Sequence, residues 1–288
     1  MKKIVIVTDS NSGIFQEEAE KLGCFVIPMP FIIDGEEFFE GVNLSQDQFY
    51  EIQKSGKRIT TSQPNINEIV SLWKKLLKDY DEVVHIPMSS GLSQSCETAK
   101  SFAKEFDGKV QVVDNKRVSI TMKQSVLDAI KMAKDGKNAK EIKEWLEETA
   151  LDSSIYLVVD TLKYLKQGGR ITPAAAAIGM VLNIKPVLQI QGGKLDSLSK
   201  VLNIKSAKAK MIEALKRDVE GRFAKFANDG SLHISIAHTL NEENAQKFAE
   251  ELKATFPKLQ FDFVDSLALS IATHTGPKVL ACGSCRVY

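Results

Sequence analysis

The residues of this chain best suited to chemistry are hydroxyls and glycines gathered at the ends of apolar runs. Thr60-Thr61-Ser62-Gln63-Pro64 is a hydroxyl-dense turn ahead of a helical stretch. Hydroxyls and free N–H groups at a helix start suit a carboxylate or phosphate, although the same residues can serve as an N-cap with a proline beside it. Ser89-Ser90-Gly91-Leu92-Ser93-Gln94-Ser95 follows the apolar run Val83–Pro87 and leads into another helix. Gly91 permits backbone angles at which several N–H groups can converge on one anion. The run is not a Walker A loop, because no Gly-Lys-Ser/Thr closes it. It is not a hydrolase elbow either, since G-x-S-x-G is absent.

Three further segments carry candidate groups. Asp9-Ser10 ends the first strand, where open parallel sheets collect ligands; the pair equally satisfies the backbone of a turn. His274-Thr275-Gly276-Pro277 offers an imidazole near the C-terminus. Leu162–Ile171 reads as a short helix stopped by Gly168-Gly169, with Arg170 beyond the stop. Cys282 and Cys285 form one C-x-x-C. With no second pair and no thioredoxin-like βαβ context, they read as small residues in a terminal strand or turn, not as a metal or redox site.

Composition narrows the classes. The chain has 288 residues, 43% hydrophobic and 26% charged, with 38 Lys plus Arg against 37 Asp plus Glu. That length suits one large or two ordinary domains with a substantial core. The balanced charge gives no global field for nucleic acid. The N-terminal apolar run stops at Asp9, which reads as a buried strand and not a signal peptide. The longest weakly polar stretch, Pro173–Ile184, is too short to span a bilayer. A cytoplasmic protein without a transmembrane segment is expected.

Elements that would position these groups follow from periodicity. Strands at Ile4–Val7, Phe25–Met29, Val83–Pro87 and Val110–Val113 alternate with helical patterns, which predicts an α/β domain with a mostly parallel sheet covered on both faces. Asp34-Gly35 predicts a hairpin over Phe31–Glu40. The later half predicts an α+β domain with antiparallel pairing: strands at Ile155–Val159 and Leu232–Ala237, a hairpin around Gly192-Gly193, and one long helix over Ser206–Asn228. The expected domains are 1–160 and 161–288.

Taken in order, the TDS strand end, TSQP, SSGLSQS, LKYLKQGGRIT, KPVLQI and HTGP resemble the DegV family, from Ile4 to Pro277. The resemblance implies a DegV-like two-domain fold holding a long-chain fatty acid such as palmitate. It also implies a non-catalytic role without cofactor or metal, in which the acyl carboxylate is presented to a separate fatty acid kinase for conversion to an acyl phosphate. Carried onto these positions, Thr61 and Ser93 would hydrogen-bond the carboxylate and His274 would complete the network. Ser62, Gly91 and Leu92 would shape the headgroup pocket, and Arg170 would lie where a kinase docks. The Ala174–Met180 helix could line an acyl tunnel or simply pack on the sheet.

Physical chemistry fits such a carrier. Burial of each CH₂ is worth about 0.8 kcal/mol, so a palmitoyl tail prefers an apolar site by roughly 10 kcal/mol. A buried carboxylate in turn needs donors or it takes up a proton. The chain departs from the family pattern twice: Lys278 stands where glycine is usual, and Lys200–Lys205 lacks the customary arginine. Competing readings are a Ser-His-acid hydrolase built on Ser93, for which no acid is identifiable, and a lipid-responsive interaction module.

Overall fold

The computed structural model describes residues 2–177 and 184–288. They fall into two compact units: Met1–Leu151 with Ala268–Ser270 and Tyr288, and Asp152–Leu267 with Ile271–Val287.

In the first unit, strands and helices alternate along the chain. They are β1 (Ile4–Asp9), α1 (Gln16–Leu22), β2 (Phe25–Ile27), β3 (Pro30–Ile33), β4 (Glu36–Phe39), α2 (Gln46–Lys54), β5 (Ile59–Thr61), α3 (Ile66–Leu76), β6 (Glu82–Ile86), α4 (Ser95–Ala103), β7 (Val110–Val112), α5 (Ser119–Lys134) and α6 (Ala139–Glu148). Strands β2-β1-β6-β7 form an all-parallel sheet. Successive side chains of a strand face opposite sides, and both sides here are covered. Val5, Val7 and Val83 pack with Ile69, Trp73 and Leu76 of α3 and with Cys96 and Ala99 of α4. Ile6, Val84 and Ile86 pack with Val126, Met132, Ile142 and Leu146 of α5 and α6. Two covered faces explain why β1 and β6 read as continuous apolar runs instead of alternating ones.

A second, three-stranded sheet, β4-β3-β5, carries the hairpin foreseen at Asp34-Gly35. Both turn residues have positive φ, 52° and 89°, as a two-residue hairpin of this twist requires. Strand β5 pairs with the other side of β3, setting Thr61 opposite Phe31.

The second unit contains β8 (Ser153–Val158), α7 (Lys163–Gly168), α8 (Pro173–Ala177), β9 (Lys185–Ile190), β10 (Asp196–Val201), α9 (Ile204–Glu220), α10 (Ala224–Asp229), β11 (Leu232–His238), α11 (Glu242–Thr255), β12 (Gln260–Ser266), α12 (Leu269–Thr275, its first two residues counted with the first unit) and β13 (Leu280–Arg286). Its sheet runs β10-β9-β8-β13-β11-β12. All pairs are antiparallel except β11 with β12. Met211 and Leu215 of α9 and Phe248 and Leu252 of α11 pack against Val158, Val187, Ile236 and Cys282 of the strands.

Two expectations are corrected. The division falls at Leu151/Asp152 and not near residue 160, because β8 hydrogen-bonds to β13 and β9 and so belongs to the second sheet. The helix expected over Ser206–Asn228 is two helices. The amide of Gly221 closes α9 on Arg217 O at 3.0 Å, and Phe223 turns the chain into α10. Of the expected Ala-rich helix, Pro173–Ala177 is helical, while Ile178, Gly179 and Met180 lie outside the described residues. No helix among the described residues is long and apolar enough to cross a membrane.

Candidate functional site

The Ser-rich loop leaves β6 and closes on itself. Ser89 O accepts from the amides of Leu92 (3.0 Å) and Ser93 (3.1 Å), and Ser89 Oγ accepts from Gly91 N at 3.1 Å. The amide of Ser90 donates to Asp114 Oδ1 at 3.1 Å. The amides of Ser90, Gly91, Leu92 and Ser93 are therefore already committed, the last three within the loop, which corrects the expectation that several N–H groups converge there on an anion. Gly91 is not among the glycines with positive φ. Hydroxyls remain: Ser93 Oγ donates to Ser95 Oγ at 3.0 Å and accepts from Ser95 N at 3.2 Å. Leu92 is buried beside them.

Ser90 continues into a charged cluster. Its Oγ donates to Asp114 Oδ2 at 2.6 Å and accepts from Lys116 Nζ at 2.5 Å. Burial pushes the Asp114 carboxyl up, but hydrogen bonds from Lys116 and Ser90 outweigh it and hold the group below its ordinary value. Cys96, Glu97 and Asp114 bring ligand atoms within 4.8 Å of one another. Lys100 at 3.3 Å from Glu97 and Lys116 at 2.5 Å from Asp114 already meet that charge.

The TSQP segment reaches the helix that follows this loop. Thr61 ends β5, half-buried. The Ser62 amide donates to Pro30 O at 3.4 Å and its hydroxyl to Gln63 O at 3.3 Å. Gln63 Oε1 accepts from Thr98 Oγ1 of α4 at 3.1 Å, tying TSQP to the helix that SSGLSQS begins. Asn65 caps α3, its side chain accepting from the amide of Asn67.

In the second unit, LKYLKQGGR and HTGP meet through their glycines. His274, on α12, lies against Gly168, where a Cβ would stand 2.0 Å from its Nδ1. A Cβ on Gly276 would stand 2.4 Å from Cδ2 of Tyr164. Gly169 is the left-handed cap of α7, with φ 67°. Arg170 is half-buried and turns back to donate to Gly168 O. Burial, followed by the Arg170 charge, pushes His274 down to about 4, so the imidazole is neutral at neutral pH. A neutral ring keeps one N–H donor and one acceptor nitrogen, and the guanidinium adds a positive field around it. Lys163 and Lys166 are exposed.

Cys282 and Cys285 both lie on β13, three residues apart, so their side chains leave opposite faces of the strand. They cannot chelate one ion from one side. Sequence reasoning missed the close packing at Gly168 and Gly276; the glycines themselves were the available signal.

The DegV family, described as one of uncharacterised proteins, matches residues 3–286. The chain is similar to Protein DegV of Bacillus subtilis, 33% identical over 284 residues covering 96% of this chain and 97% of that one. A DegV domain-containing protein of Caldanaerobacter subterraneus is 31% identical over 278 residues, 96% of each chain. Among solved structures, DegV from Bacillus subtilis, a fatty acid binding protein, superposes with a TM-score of 0.86 at 31% identity, covering 99% of this chain and 100% of that one. A DegV family protein from Thermus thermophilus, described by its fatty acid binding, gives 0.89 at 27% identity, with 99% and 100% covered.

Proposed function

The chain belongs to the DegV family and has its fold, and from that premise we propose that it binds a long-chain fatty acid. Thr61 and Ser93 donate to the carboxylate and His274 completes the network; Ser62, Gly91 and Leu92 shape the headgroup pocket. The observation that carries the reading is the loop's internal bookkeeping of donors. With the amides of Gly91, Leu92 and Ser93 taken by Ser89, the hydroxyl of Ser93 is an adjustable donor of the loop, and its proton can swing from Ser95 to an incoming oxygen. Hydroxyl donors stabilise a carboxylate without neutralising it, which leaves an oxygen nucleophilic.

The role is that of a carrier, with no catalysis of its own. The hydrolase alternative has less support, because Ser93 Oγ is hydrogen-bonded to Ser95 and the sequence offers no identifiable acid to complete a triad. Presentation of the bound acid to a fatty acid kinase, which would bring ATP and Mg²⁺, is the finer form of the proposal. Arg170 is its candidate docking residue. Denaturing extraction of the purified protein followed by mass spectrometry tests the ligand class. A stoichiometric long-chain fatty acid is expected; protein that carries none and binds none on addition contradicts the reading.

A further inference from the structure

The Asp9 turn takes no part in the proposed ligand contacts, yet Asp9, Ser10, Asn11 and Ser12 are all buried. Asp9 Oδ2 accepts from the amide of Met88 at 2.9 Å, where the Ser-rich loop begins. Its Oδ1 accepts from the backbone and side-chain nitrogens of Asn11, at 2.9 and 2.8 Å. Asn11 is thereby oriented so that its Oδ1 accepts from Ser270 Oγ. One residue earlier, the amide of Leu269 donates to Glu40 Oε2 at 2.8 Å. Leu269 and Ser270 are counted with the first unit and open α12.

Glu40 is an unusual group to place at a helix start, where the amide of Leu269 and the side chain of Gln46 both relieve its carboxyl. It is only 7% exposed, and its Oε1 is buried without a hydrogen-bond partner. A buried carboxylate with an unmet oxygen is unfavourable, and a local Ser, Thr or Asn would cap a helix start with less desolvation. Ser270 and His274 are i and i+4 on α12, one turn and about 6 Å of rise apart on the same face. Movement of the first turn is passed along the helix to the imidazole.

We propose that Asp9, Asn11 and Glu40 are positioning residues for the headgroup site. They fix the start of α12, and through Met88 the start of the Ser-rich loop, so that His274 and Ser93 are presented from held elements. This rests on the fatty-acid reading above.

The test uses Ser270→Ala, which cuts the Asn11 link while favouring helix, together with Glu40→Ala and Glu40→Gln. Palmitate affinity and the imidazole NMR signals of His274, assigned by their loss in His274→Gln, are measured on each folded variant. Ser270→Ala and Glu40→Ala should each weaken binding roughly five- to twenty-fold and move the His274 signals. Glu40→Gln, which keeps an acceptor for Leu269, should stay within about twofold. In the His274→Gln background, Ser270→Ala should cost less than about twofold more, because its effect runs through the ring. Full additivity, or His274 signals unmoved in both variants, overturns the positioning role. If His274→Gln alone leaves palmitate affinity unchanged, the headgroup reading fails instead, and the imidazole signals still decide whether the tether acts.

Discussion

Gly168 leaves the space that the imidazole of His274 occupies: a Cβ there would lie 2.0 Å from Nδ1 and 2.9 Å from Cε1. Only a residue without a side chain lets the end of α7 and the ring coexist. Gly168→Ala should displace the ring, lower stability by about 1–3 kcal/mol and weaken fatty-acid binding by about tenfold. Chemical denaturation and a displacement titration read the two effects. An alanine variant that binds like wild type would show that the ring position does not matter to the ligand.

Lys278 occupies the left-handed region with φ 61°, and its amide donates to Thr239 O at 2.8 Å. This is the position at which the resemblance to the family leads one to expect glycine. A side chain costs about 1 kcal/mol in that conformation. Lys278→Gly should therefore raise stability by a few tenths to about 1 kcal/mol, the unfolded chain's added freedom taking back part of the gain. A fall in the urea midpoint would contradict this.

Stability should depend on pH through two opposed sets of buried groups. Burial pushes His85 down to about 3, and burial with Arg170 pushes His274 down to about 4, both from 6.5. Below 6.5 the unfolded chain takes up these protons before the folded one does, so this contribution is lost as pH falls toward the folded values. Burial pushes Asp9 up to about 6 and Glu40 up to about 7. Here the folded state holds the proton, so the contribution is present at low pH and lost as pH rises through the folded values. Glu40→Gln should gain on wild type by on the order of 3 kcal/mol between about pH 4 and 8, and His274→Gln should flatten the acid slope. Urea unfolding at stepped pH measures both. Parallel curves for wild type and variants would rule out the assignment.

Much of the fold was readable because its signals are local. The apolar runs of β1 and β6 and the Asp34-Gly35 turn each specify their own element. Strand β5 was hidden, since Ile59–Thr61 is three residues long and its identity comes from pairing with β3. Helix α12 was hidden because Leu269–Thr275 is rich in Ser, Thr and Ile, whose intrinsic preference is weak; its start is held by Glu40 and Asn11, far away in sequence. At the candidate site, the motifs pointed to segments that the structure joins in pairs, TSQP with α4 and LKYLKQGGR with HTGP. The sequence did not show that the Ser-rich loop spends its amides on Ser89, nor that Arg170 folds back onto Gly168 instead of standing on the surface.

The central claim is that side-chain hydroxyls at 61 and 93 recognise a carboxylate. It is tested most directly by titrating palmitate and hexadecanol, which share a tail and differ in headgroup, into wild type and a Thr61→Val/Ser93→Ala variant. Wild type should prefer the acid by at least about a hundredfold, and the variant should lose most of that preference while its affinity for the alcohol changes little. Equal preference for the acid in both proteins would contradict the account.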